Sequence, residues 1–490
     1  MSVPTTNNPL VASRSPVAGL PRRQLPLIPV FAQSVAAVAP SGAAAVIPAL
    51  VLATAGGAGA IVAFAAAAVV MLLVSACLRP MAQRLAAVGG IYTYTARGLG
   101  PLIAVPTGWS ALLGYASVGM AGLIAVGTYL SNVVVSAGLT SQVPLAAIIS
   151  VLVVAATVGA AVMVRGIRVS AWITLLVECI SIALLAVVLV LLLMAALRGG
   201  APIASALNFE GDAQSMAVSV VVAVSAFVGF ESSTTLSGEA RQPFRSVPLT
   251  IRWTPAIAGA LYLATVTVLA ITLAEAPASV TGSSTPFVAL LVSQHSTMLS
   301  AVLDLAIAAS FFACTVASVN ALVRVAFTMG REGVIPHRLG RTHKRFKTPA
   351  FAIAVAMSVV TVAPIVVLVL GSAPDEALRT FLTLSACGYL GSYLSGCIAA
   401  PVLLHRIGES TKGAIALSAV TVTILVFLFA NAVFVSVRDG ATLLLGYGVL
   451  MAIAIAYTVI LKLRAPQRLS AVGIYDETQR TDLLNTVSFR

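Results

Sequence analysis

Twelve apolar runs, each near the ~20 residues a helix needs to cross the hydrocarbon of a bilayer, alternate along the chain with short polar and basic connections. They fall at 27–54, 57–78, 102–130, 143–164, 170–195 and 214–237, then at 248–275, 298–327, 351–371, 379–404, 412–435 and 441–463. Two runs are interrupted. Span 1 is smooth until Ala39-Pro40-Ser41-Gly42, and span 6 until Gly229-Phe230-Glu231-Ser232-Ser233. A lipid-exposed helix does not tolerate such a gap, because freed N–H and C=O groups find no water in hydrocarbon. Gaps persist where they line a cavity, and a matched pair in two halves of a chain points to the substrate site of a secondary transporter.

Five spans separate the two breaks, so spans 1–5 and 6–10 read as repeats. An odd repeat length makes them enter the membrane from opposite sides, an inverted pair with two helices left over. The expected organisation is an all-α polytopic membrane protein with a polar tail at 1–26 and a ten-helix transport core at 27–404. The core divides into repeats at 27–196 and 214–404, followed by helices 11 and 12 within 405–463 and a second tail at 464–490.

Charge orients this plan. If the N-terminus is inside, all of the 28 basic residues except Arg198, Arg379 and Arg438 fall in the tails, the inner connections or the inner ends of the spans beside them. Excess Lys and Arg in cytoplasmic loops is the general rule, so both termini are expected in the cytoplasm, with the chain in the plasma membrane. The same distribution disposes of a nucleic-acid partner, which the net charge of +13 could otherwise suggest. The basic residues come in short blocks between apolar runs, and the densest, Arg338 to Lys347, is first a cytoplasmic anchor. Apolar residues make up 59% of the chain and charged residues 9%. A soluble domain carries about 25% charge, so the composition cannot clothe a water-facing surface.

Catalytic and cofactor chemistry finds no footing. His295, His337, His343 and His405 lie at unrelated spacings. The five cysteines sit within apolar runs without metal-ligand or CxxC spacing, and read as buried small hydrophobes. Gly89-Gly90 follows no strand and precedes no GK[ST], so it is a turn and not a phosphate loop. No metal or cofactor is expected. The segment before Pro26 is polar, basic and Pro-rich, without the apolar core of a signal peptide.

The breaks carry complementary polarity. The outer half of span 1 starts after Pro40, so the N–H groups of Ser41, Gly42 and Ala43 present a positive helix end suited to a carboxylate. The outer half of span 6 ends near Val228-Gly229, so the carbonyls of Ser225 and Val228 present a negative end suited to an ammonium group. Together these describe an α-amino acid. The plainer alternative makes Gly42 and the alanines beside it a close-packing surface and Pro40 a structural kink.

Four motifs in order resemble the amino acid–polyamine–organocation permeases. They are Ala39-Pro40-Ser41-Gly42; Gly89-Gly90-Ile91-Tyr92-Thr93-Tyr94 with Gly108-Trp109; Gly229-Phe230-Glu231-Ser232-Ser233 running on to Glu239-Ala240-Arg241-Gln242-Pro243; and Gly330-Arg331-Glu332-Gly333-Val334-Ile335-Pro336. The resemblance covers roughly 27–463. It implies the LeuT-like five-plus-five fold, with Ser41 and Gly42 at the substrate carboxylate and Val38, Ser225 and Val228 offering carbonyls to its amine. One departure matters. Where many members have Gly-X-Gly at the first break this chain has Pro40, which lacks an N–H, and the family also includes carriers of amines without a carboxylate.

Ionisable residues inside a membrane are functional candidates by default. Glu231 lies in the second break and is tied by the resemblance to gating; its plainer role is to cap the freed N–H groups of the inner half-helix. Glu178, eight residues into span 5, lies about 12 Å deep at 1.5 Å per residue, near where some proton-coupled relatives carry a lysine. It is the coupling candidate, or else a partner-satisfied structural acid. Asp304 reads as a solvated or paired residue toward the outer end of span 8, and Arg324 as snorkelling to the inner interface.

The expectation is an amino acid permease working by alternating access, importing with protons. An amine permease, an exchanger and a transport-dead amino acid sensor stay open. A membrane-embedded transferase would need acids or histidines clustered at one interface, and this sequence offers none.

Overall fold

The computed structural model describes residues 19–136, 143–200, 212–274, 286–293, 297–438 and 443–476, with isolated positions in the loops between. Among the described residues every regular element is helical, and the extended contacts are two isolated bridges, Leu25 with Ala240 and Ala86 with Asp476. In chain order the first half contains α1 (Leu27–Val38), α2 (Pro40–Ala82), α3 (Ile91–Leu99), α4 (Pro101–Ser136), α5 (Leu145–Val164), α6 (Ile167–Arg198) and α7 (Ala213–Ser225). A 3-10 turn at Ser232–Leu236 follows, then α8 (Pro243–Leu273), α9 (Pro286–Ser293), α10 (Thr297–Arg331), α11 (Ala350–Val369), α12 (Pro374–Arg406), α13 (Lys412–Arg438), α14 (Leu443–Arg464) and α15 (Pro466–Ser470).

Among the described residues ten helical stretches are long and apolar enough to cross a membrane. The first, Leu27–Ala82, contains both expected spans 1 and 2, and leaves helical geometry at Gly56 (φ 68°, ψ −177°) between them. Expected span 6 is not among the ten, because α7 stops after 13 residues at the second break. Proline opens α2, α8, α12 and α15, a position where its missing N–H costs no intrahelical bond.

The exterior shows what solvent this fold is built for. Along α6, Ser170, Thr174, Glu178 and Ser181 are buried, while Leu176, Ile180, Val187 and Val190 stand out from the surface. A water-soluble helix has the reverse arrangement. The protein is an all-α polytopic membrane protein. Cys179 departs from expectation by lying on this outward face; the other four cysteines are buried.

Packing interleaves the two halves of the chain. α2 lies along α7 and α8, and α4 along α10 and α12, while α6 packs against α10 and α1. Each group thus mixes elements from before and after residue 200, so the halves do not form separate lobes.

At the end of the bundle where α10 finishes, two remote parts of the chain meet. Residues 23–25 run beside 238–241, with the Gln24 and Leu25 N–H groups donating to the Glu239 carbonyl (2.8 and 2.9 Å) and Arg241 N–H to that of Leu25 (2.7 Å). Arg22 and Arg23 each pair with Asp476 at 2.9 Å. Glu332, just past α10, accepts from the Gly473 and Ile474 N–H groups (2.9 and 3.0 Å) and from the Tyr92 hydroxyl. Burial pushes the Glu332 carboxyl up to about 7, against the opposing pull of these donors and of Arg97. The segment after α14 is therefore a strap, pinned at Glu332 and at the Arg22–Arg23 pair.

Candidate functional site

The first break is one residue wide. α1 ends at Val38, Ala39 takes the left-handed conformation (φ 48°, ψ 59°), and α2 begins at once with Pro40. A residue before proline is sterically pushed out of the helical region, which places the break at Ala39 and leaves Pro40 as the first residue of the new helix. Ala43 N–H bonds to the Ala39 carbonyl (2.8 Å) and begins the regular ladder.

The N–H groups ahead of it are not free. Ser41 N–H donates to Glu178 Oε1 at 3.0 Å, and the Ser41 hydroxyl donates to the same oxygen at 2.8 Å. Ser310 Oγ accepts from Gly42 N–H (3.1 Å) and donates to Glu178 Oε2 (2.8 Å). The Glu178 carboxyl, fully buried on α6, is thus seated on the positive end of α2 and joined to α10 through Ser310. Sequence reading singled out Ser41, Gly42 and Glu178 separately and gave no sign of Ser310. A β-carbon on Gly42 would lie 3.1 Å from the Phe311 ring and 3.2 Å from Ser310 Oγ, so glycine here permits close approach of α10.

The second break is wider. α7 tightens at its end through the N–H groups of Ala226 and Phe227, which bond three residues back at 3.1 and 3.0 Å. Gly229 then turns with φ 91°, and a β-carbon there would lie 3.1 Å from the Ala37 carbonyl oxygen. The backbone of this break therefore rests directly on the end of α1. Ser233 N–H donates to Ser34 Oγ at 3.1 Å, adding a second tie to α1.

Glu231 does not cap the turn that follows it, which has no side-chain cap bond. Its carboxylate accepts instead from the hydroxyl of Tyr115 on α4 (2.8 Å) and from that of Tyr393 on α12. Tyr393 Oη also accepts the Gly229 N–H at 3.3 Å. Tyr115 meets Tyr389 edge-on and Tyr389 meets Tyr393 at a tilt, with ring centroids 5.2 and 5.8 Å apart. Tyr393 was not among the residues the sequence singled out, although it follows Tyr389 by one helical turn.

Between the breaks lies a small cavity. Its walls include Val38 and Ala43 from the first break, Ser225 and Val228 from the second, and Val118, Phe311 and Leu382 from α4, α10 and α12. Ser41, Gly42 and Gly229 lie outside this lining. The amides that would close the helical ladder onto two wall residues donate elsewhere: Gly42 N–H goes to Ser310 rather than to the Val38 carbonyl, and Gly229 N–H to Tyr393 rather than to that of Ser225.

Arg324 departs from its sequence reading, and one of the two readings of Asp304 falls away. Arg324 does not snorkel; it is buried and paired with Glu239 at 2.8 Å, an ion pair that no local pattern announces. Asp304 is fully buried rather than solvated. Among the described residues no group of three His, Cys, Asp or Glu side chains could hold a metal ion.

Comparison with known proteins covers most of this architecture. A family model described as amino acid permease matches residues 27–461. The chain is 28% identical over 283 residues to an uncharacterized transporter of Mycobacterium tuberculosis, covering 57% of this chain and 60% of that protein. It is 25% identical over 280 residues to the low-affinity putrescine importer PlaP of Escherichia coli, covering 56% of this chain and 60% of the importer. The match thus spans about three-fifths of the length of these relatives.

Proposed function

Since the chain belongs to the amino acid permease family, we propose that it is a secondary active permease that imports amino acids or the related amines across the plasma membrane by alternating access. The observation that carries this reading is the pairing of the two breaks across one cavity. Backbone carbonyls released from helical bonding are available there to a ligand, and this is the arrangement in which irregular backbone is tolerated at membrane depth. The substrate ammonium is taken by the carbonyls of Val38, Ser225 and Val228. The two termini face the cytoplasm, in keeping with the basic residues of the inner connections, and the tie between Arg22 and Asp476 requires an even number of crossings between them.

Protons supply the drive through Glu178. Its carboxyl bonds α2 directly and α10 through Ser310, so gaining a proton weakens a contact between one of the broken helices and its neighbours. Glu231 gates, because its two tyrosine bonds hold the second break to α4 and α12. The similarity to a putrescine importer supports an amine among the substrates.

The test is uptake of radiolabelled amino acids and amines into proteoliposomes, with and without an inward pH gradient. The gradient is expected to stimulate uptake by the wild type and not by Glu178→Gln, which keeps exchange. Failure of every compound to accumulate above protein-free liposomes would sink the permease reading, and a wild-type gradient response in Glu178→Gln would remove the proton from that site.

A further inference from the structure

The positive end of α2 already holds a carboxyl group, and that group belongs to the protein. From this we infer that Glu178 is a specificity-determining residue: it occupies the place of a substrate carboxylate, and the cavity therefore selects amines that lack one. The inference rests on the permease reading and narrows its substrate.

The geometry supports this on three counts. First, the donors that a substrate carboxylate would need are occupied. Pro40 has no N–H, Ser41 N–H is bonded to Glu178 at 3.0 Å, and Gly42 N–H is bonded to Ser310 at 3.1 Å, whose hydroxyl in turn serves Glu178. Ala43 N–H is committed to the helix at 2.8 Å. A carboxylate brought to this end finds no donor left and meets another carboxyl group behind it.

Second, what the cavity does offer is acceptors. Val38 and Ser225 are both wall residues at helix C-terminal ends, and the amides that would normally engage their carbonyls are redirected to Ser310 and Tyr393. Two negative helix ends meeting at one space favour a cation. Third, the other walls, Val118, Phe311 and Leu382 among them, are apolar except for Cys314, whose thiol already donates to the Ala37 carbonyl at 3.2 Å. They suit the hydrocarbon body of an amine and give a second charged group nothing to bond. A buried polar group left without a partner loses its solvation free energy, so a carboxylate on the ligand is penalised and not merely ignored.

Glu178 thus acts before any conformational step, by deciding which chemical class fits. The experiment uses matched pairs that differ only in the carboxylate: cadaverine against lysine, agmatine against arginine, and tyramine against tyrosine. Purified protein is titrated with each compound for thermal stabilisation, and proteoliposomes are assayed for uptake of both members of each pair in labelled form. For at least one pair the amine is expected to bind at a concentration at least about tenfold lower than its amino acid, a gap of ~1.4 kcal/mol. In Glu178→Ala, and more weakly in Glu178→Gln, that ratio is expected to move toward the amino acid, as the α2 N–H groups become available.

Preference for the amino acid in every pair overturns the inference while leaving a permease. An amine preference that is identical in wild type, Glu178→Ala and Glu178→Gln shows that Glu178 does not set it, and also overturns the inference. Should Glu178→Ala not fold, Glu178→Gln together with the wild-type pairs gives the same decision. Absence of binding and uptake for every pair removes the permease reading itself, and this inference with it.

Discussion

The two breaks solve one physical problem in different ways. Each must stop a helix inside a membrane and dispose of the freed backbone groups. The first does so in a single residue, Ala39, and passes the exposed N–H groups to an acid from another helix, Glu178 on α6. The second takes the stretch from Ala226 to Glu231, and its acid lies within the break, reaching out to Tyr115 and Tyr393. The narrow break borrows its acid; the wide one brings its own. Consequently Glu178 links α2 to α6 and α10, whereas Glu231 links the second break to α4 and α12. The two acids report on different contacts, and a variant at one should not mimic a variant at the other.

The largest effect is expected at the wide break. Glu231→Ala leaves the Tyr115 and Tyr393 hydroxyls buried without their acceptor, at a cost of about 1–3 kcal/mol for each unsatisfied group. Denaturation of the purified variant should show that loss together with abolished uptake. Normal stability would mean the tyrosines find other partners and the break does not depend on its own acid. Gly229→Ala comes next. It forces a side chain into a left-handed position at about 1–2 kcal/mol and places the β-carbon 3.1 Å from the Ala37 carbonyl. Uptake should fall severalfold, and an unaffected variant would show that the wide break does not lean on α1.

Ser310→Ala tests whether the narrow break is held as a network. It removes the acceptor of Gly42 N–H and a donor to Glu178, each hydrogen bond worth about 0.5–1.5 kcal/mol. Its effect should be non-additive with Glu178→Ala in a double-mutant cycle and additive with Glu231→Ala. The smallest effect has the opposite sign. Ala39 is a non-glycine residue at φ 48°, so Ala39→Gly should relieve backbone strain and raise stability by up to about 1 kcal/mol, while the already glycine-based second break admits no such gain.

Glu332 provides a control outside both breaks. Docked against the strap its carboxyl holds a proton up to about pH 7, while an undocked glutamate releases it near pH ~4.3. Docking therefore takes up a proton between those values, and is strongest below them and weakens as pH rises toward and through about 7. Hydrogen exchange at Gly473 and Ile474, corrected for intrinsic rate, should accelerate over that window. Glu332→Gln should flatten the dependence without altering either break.

Much of the scaffold was legible in the sequence because bilayer chemistry leaves few options. Apolar runs of the right length gave the helices, and Pro40 and Gly229 marked where two of them fail. The polar face of α6 came only with the structure, which buries Ser170, Thr174, Glu178 and Ser181 along one side of the helix. What could not be read were pairings across the chain. Ser310 lies 132 positions from Glu178 and Glu239 lies 85 from Arg324, and no local pattern announces either contact. The occupation of the α2 end was hidden for the same reason: sequence shows that N–H groups become free and is silent on which side chain reaches them.

The strap makes one face of the bundle wait for residues that are synthesised long after the partners they meet. Asp476 follows Arg22 by 454 positions, and at roughly 5–20 residues per second the ribosome takes about 20–90 s to cover that distance. Throughout that interval the two arginines have no Asp476 to meet, and Glu332 has no Gly473 or Ile474 amides to receive. The face of the bundle around Ala86 thus stays open until residues 473–476 have been translated. Closure of that face records that synthesis has passed Asp476, and a chain cut short before Gly473 would present to proteases and chaperones a surface that the strap otherwise conceals.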